Sequence, residues 1–191
     1  ALDGPALVAD ADGDMPDLHA MAGVDREPTL ADLDDRPPGA LAQPVPGVDG
    51  VSVLPAPRAG RPAGGPTAGA TAAALARLRA ADPPAVVDCP GGAGPDAVAP
   101  PRAADRVLVV ASACRPALRD AAKTVATARA LSAPVAGAVL VRTATAPDGV
   151  ADLLGCPVLA TVPEAEPPVL RRDVVRVAYE RLAAALATGA E

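Results

Sequence analysis

Short apolar runs alternate along this chain with stretches of helical character, and that alternation restricts the fold more than any other feature. The runs are 6–9 (ALVA), 51–54 (VSVL), 85–87 (AVV), 106–111 (RVLVVA), 135–141 (VAGAVLV) and 157–162 (PVLATV). Most are continuously apolar, the pattern of parallel strands covered on both faces. Helices are expected over 67–81, 115–131, 148–154 and 171–187. Strand–helix–strand repetition predicts an α/β fold, a mostly parallel sheet with helices on both faces. The Pro-rich tract 37–66 reads as a surface connection around one strand. A chain of 191 residues suffices for one substantial core, so residues 1–191 are expected to form a single domain.

That core has to be built from small aliphatic side chains, because the chain has no Phe or Trp and Tyr179 is its one aromatic residue. In the last helix Val175, Tyr179, Leu182 and Leu186 share a face, which reads as a stripe packed on the sheet. A membrane-anchoring helix would carry basic flanks and bulky aromatics, and this one ends in ATGAE. No apolar run approaches the ~18 residues of a membrane span, and no signal peptide is recognisable. Cys89, Cys114 and Cys156 are widely spaced with no C-x-x-C pair. This usage points to a reduced, cytoplasmic compartment and argues against a disulfide framework or a zinc site.

The near absence of aromatics removes base stacking as a way to hold single strands. A net charge of −6 opposes a phosphate backbone unless the basic residues cluster. Arg171, Arg172 and Arg176 form the only candidate patch for nonspecific DNA contact, and a solvated helix face is the favoured reading of them.

Acids sit directly behind two of the strands. ALVADADGDMPDLH carries Asp10, Asp12, Asp14 and Asp17. A calcium loop beginning at Asp10 fails, because Met15 stands where the sharp turn needs Gly and Met21 where the bidentate Glu belongs. In PAVVDCPGGAGPDA, Asp88 follows a strand and precedes the glycine turn at Gly91, Gly92 and Gly94. An acid at the C-terminal end of a parallel strand faces the crevice where α/β folds take ligands. A Gly-rich turn there lets backbone N–H groups approach a phosphate. The competing reading has Asp10 and Asp88 merely capping strands and turns.

Taken in order, ALVADADGDMPDLH, PTLADL, GVSVLPA, AVVDCPGG, ADRVLVVASACRPALRDAAKTV and GCPVLATVPE resemble the MinD/ParA group of P-loop ATPases, from about Pro5 to Glu164. The resemblance implies a Rossmann-like P-loop NTPase fold with ATP and Mg²⁺ as cofactors. It makes Asp12 the catalytic residue that positions the attacking water, and puts Asp10 near the magnesium shell. Asp88 becomes the Walker B aspartate, holding magnesium through water, with Pro90, Gly91 and Gly92 in the second switch. Arg142, Pro163 and Glu164 fall among the nucleotide-binding positions, although Val141 stands where the family typically offers the Asn that reads adenine. Asp14 and Asp17 are left as helix-capping or surface acids. The implied role is a nucleotide-dependent homodimer whose ATP hydrolysis switches binding to a protein partner, in spatial regulation of cell division or of chromosome or plasmid partitioning.

The family's phosphate-binding loop is missing from this sequence, which has no G-x-x-x-x-G-K-[ST]; its one lysine, Lys123, lies in an expected helix. ALDG at residues 1–4 resembles the tail of the helix that follows such a loop. The expectation is therefore an N-terminal strand and helix lying outside this sequence, without which the chain binds no Mg-ATP measurably. The other readings are a non-catalytic scaffold that keeps only partner binding and a DNA-binding partition protein.

Overall fold

The computed structural model describes residues 4–33, 36–57, 68–91 and 97–188. These residues group into two compact units, one up to residue 104 and one from residue 105.

In the first unit, β1 (Ala6–Asp10) is central to a four-stranded sheet, flanked by β3 (Val51–Leu54) and β4 (Ala85–Asp88), both parallel to it. The two-residue β2 (Gln43–Pro44) adds antiparallel to β3 at the edge, where a proline such as Pro44 is tolerated because no further strand needs its missing N–H. Alternation along β1 and β4 turns Leu7, Ala9, Ala85 and Val87 to one face. There they pack with Ala74, Leu75 and Leu78 of α2 (Ala68–Arg79) and with Leu30, Leu33, Leu41 and Leu54. Two short helices complete the unit, α1 (Leu18–Ala22) and α3 (Ala99–Ala103).

In the second unit, β5 (Val107–Ser112), β6 (Val135–Val141) and β7 (Val158–Val162) form a parallel sheet in that order. The run in β6 is apolar throughout because both faces are covered. Ala138 and Leu140 pack beneath Leu118, Ala121 and Val125 of α4 (Arg115–Ala130) and Leu154 of α5 (Val150–Leu154). Val139 meets Val175, Ala178 and Leu182 of α6 (Asp173–Thr188) on the other side. Gly137 has no substitute at its position: its φ is 155°, and a Cβ would lie 2.7 Å from the Pro157 carbonyl oxygen.

The expected α/β class holds, and its strands are distributed over two sheets. One core assignment needs correction. Tyr179 is 44% exposed, and Ala178 takes the place assigned to it. At about 100° per residue the two flank the Val175–Leu182 direction at similar angles, and it is the small Ala178 that packs with Val139 and Val162 of the sheet. Leu170, Val174 and Val177 also face solvent. Among the described residues, no helix is long and apolar enough to cross a membrane.

Candidate functional site

Asp10 and Asp88 are the last residues of β1 and β4, and the parallel register makes them direct partners. They lie with Val8 and Val86 on the face opposite the leucine core, since strand side chains alternate. The Ala11 N–H donates to the Asp88 carbonyl at 2.8 Å, carrying the pairing one residue past the strand end.

The two carboxylates differ in setting. Asp10 is 1% exposed. Its Oδ1 accepts the Asp12 N–H at 2.9 Å and its Oδ2 the Leu18 N–H at 3.3 Å. Its carboxyl is raised above the ordinary value, by desolvation first; those two amides oppose the shift, and the Asp88 and Asp12 charges add to it. Asp88 has an exposed residue surface, yet its carboxyl is also raised. Desolvation is again the first cause, with the Cys89 amide opposing and the Asp12 and Asp17 charges adding. The neighbouring Cys89 thiol is pushed up to about 12, by desolvation and then by Asp88, Asp12 and Asp10, and stays protonated at neutral pH.

Asp12 is held by its own loop: Oδ1 accepts the Asp14 N–H and the Met15 N–H, both at 3.0 Å. Its Oδ2 has no hydrogen-bond partner among the described residues. Asp14 and Asp17 are exposed, and Asp17 occupies the N-cap of α1 without a side-chain bond to it. Both are therefore surface acids. Pro90 is half-buried and Gly91 exposed, with open space where a Cβ would be. Gly92 lies outside the described residues.

The remaining expected positions belong to the second unit. Arg142 follows β6, exposed and at φ 57°, and Pro163 and Glu164 follow β7. Val141 and Val162 are register partners, so these residues share the C-terminal edge of that sheet. Sequence reasoning missed Cys114 on the same edge. Its thiol is lowered, first by the Ser112 hydroxyl at 3.3 Å, then by the Ala117 amide and, more weakly, by the Arg142 charge. A Cys at the N-cap of α4 was the visible signal. The candidate DNA patch is largely spent internally. Arg172 donates to the Glu166 and Pro167 carbonyls, and Arg176 sits 3.8 Å from Asp173 and 3.9 Å from Glu180.

Of the two acids expected at the metal, Asp88 is an exposed hard oxygen donor of the kind a hydrated Mg²⁺ takes through water, whereas both oxygens of Asp10 are engaged by the Asp12 and Leu18 amides. The described residues contain no closed cluster of three His, Cys, Asp or Glu side chains that would hold a metal alone. The acidic half of a magnesium–phosphate centre thus fits, and this sequence contains no glycine–lysine loop for the phosphate half.

No family model matches the sequence, and neither does any curated protein. Solved structures match throughout its length. The cell division ATPase MinD of Pyrococcus furiosus superposes with a TM-score of 0.73 at 22% identity, over 97% of this chain and 86% of that one. The fold is that of the MinD and ParA ATPases. MinD of Pyrococcus horikoshii, solved with Mg-ADP, gives a TM-score of 0.70 at 20% identity, over 93% of this chain and 81% of that one. A ParA family ATPase of Chlorobium tepidum gives 0.73 at 17%, over 97% and 86%.

Proposed function

We propose that this chain is the ATPase domain of a MinD/ParA-type switch, both units belonging to one nucleotide-binding domain. The observation that carries the reading is the pairing of Asp10 with Asp88 at the C-terminal edge of the first sheet, with one oxygen of Asp12 left open beside them. Phosphoryl transfer requires charge neutralisation and a positioned water more than covalent chemistry. Asp88 would hold Mg²⁺ through water, and the open oxygen of Asp12 would orient the attacking water. Gly91 and Gly92 would respond to the terminal phosphate, and Arg142, Pro163 and Glu164 would contact the nucleotide. Bound Mg²⁺ would neutralise the phosphate charge. Hydrolysis would then govern homodimerisation and binding of a protein partner in cell division or partitioning.

The test is ATP hydrolysis by the full-length gene product. Magnesium-dependent turnover, lost on Asp12→Ala, is expected; no turnover alongside intact partner binding would replace this reading with the next one.

The second reading is a non-catalytic scaffold of the same fold that keeps only partner binding. Calorimetric titration with Mg-ATP separates the two, because the scaffold binds none.

A further inference from the structure

We infer that Asp10 is a positioning residue that fixes the loop from Ala11 to Leu18 and aims Asp12, and is not a ligand of the cation. The inference rests on the ATPase reading for its catalytic consequence and on geometry alone for the loop. Asp10 is 1% exposed, which leaves no surface against which a hydrated cation could sit. Its two oxygens are directed to opposite ends of one loop. Oδ1 accepts the Asp12 N–H, and Oδ2 the N–H of Leu18, the first residue of α1. That helix receives no side-chain cap from Asp17, so Asp10 caps it from the strand, eight residues away.

The consequence passes to Asp12. With its amide pinned to Asp10 and its Oδ1 engaged by the amides of Asp14 and Met15, the carboxylate plane is set and only Oδ2 is open. Asp88, the exposed partner in register, is left as the carboxylate a cation can reach. The acids therefore divide the work: Asp10 holds, Asp12 orients and Asp88 binds.

Asp10→Asn isolates this role, because the amide keeps the volume but has one acceptor and cannot receive both N–H groups. In nucleotide-free, metal-free buffer, amide exchange at Asp12 or Leu18 should accelerate about tenfold, the scale of one lost hydrogen bond. Leu140 in β6 should exchange as before, and Asp88→Asn should leave both loop amides slow. Unchanged exchange at both amides in Asp10→Asn overturns the inference. In the full-length product Asp10→Asn should lower kcat with an unchanged Mg²⁺ activation constant. The double variant with Asp12→Asn should be no slower than Asp12→Asn alone, as for two groups acting as one. A raised Mg²⁺ constant makes Asp10 a ligand and refutes the role. A readout free of variants covers the case in which Asp10→Asn does not fold. On adding Mg-ATP to the wild type, the ¹³C carboxyl resonance of Asp88 should move more than that of Asp10, and the reverse overturns the inference. If the wild type hydrolyses no ATP, the ATPase reading fails while the exchange experiment still decides the role of Asp10.

Discussion

Asp12 and Asp88 feel each other's charge and differ in what their removal should do. Asp12→Ala takes away a water-orienting oxygen and no phosphate contact, so turnover should fall by roughly 10²–10⁴ while nucleotide affinity stays nearly constant. Rapid-quench and equilibrium binding on the same preparation check this; equal losses in both would make Asp12 a binding group. The crowding of acids also sets a pH dependence. Asp10 and Asp88 are raised in the folded protein above the ordinary 3.8. Between that value and the folded values the native state holds more protons than the unfolded one, so stability falls as pH rises through the window. Urea unfolding from pH 4 upward should show that decline, and Asp88→Asn should flatten it. Stability that climbs across the window in the wild type, with no flattening in the variant, would contradict the shifts. These acids were legible in the sequence because each ends an apolar run. Asp10's use of both oxygens was not, because Leu18 lies eight residues on and only the folded loop brings its amide back. The N-cap position of Cys114 was visible, but the lowering of its thiol, first by the Ser112 hydroxyl and more weakly by Arg142 beyond the next strand, shows only in the fold.

Among the elements, six of the strands, the long helices and the short α5 were readable, and α1, α3 and β2 were not. β1, β3, β4, β5, β6 and β7 fall where the apolar runs place them, to within about a residue of their ends, the usual disagreement over element boundaries. α1 is five residues long and anchored by a distant carboxylate. α3 holds two prolines in its first turn, which read as loop although proline suits that position. β2 exists by pairing with β3 and has almost no pattern of its own. In α6, Leu182 is buried and Tyr179 is not. Leu182→Ala should therefore cost about 2–5 kcal/mol, the range for an emptied core site. Tyr179→Ala should cost less than about 1 kcal/mol, as for a surface position. Gly137→Ala should destabilise by about 1–3 kcal/mol, the range for overpacking, because its methyl group would press on Pro157 and Leu159. Denaturant midpoints rank the three, and Tyr179→Ala costing more than Leu182→Ala would contradict the face assigned to α6.

At the scale of the whole molecule, the α/β class was legible from the alternation of apolar runs and helices, and the two-sheet arrangement was not, because strand order is set by pairing between distant segments. If both units belong to one domain, they should unfold in one transition, with equal calorimetric and van't Hoff enthalpies; two separated transitions would make them separate domains. The account's central claim is that the acidic edge formed by Asp10 and Asp88 is a magnesium-dependent nucleotide site. The most direct measurement is calorimetric titration of the full-length product with ATP, in Mg²⁺ and in EDTA, for the wild type and Asp88→Asn. The account predicts that the wild type binds ATP more tightly in Mg²⁺ and that Asp88→Asn loses this difference. Equal affinity with and without Mg²⁺ in the wild type, or an undiminished Mg²⁺ effect in Asp88→Asn, would contradict it.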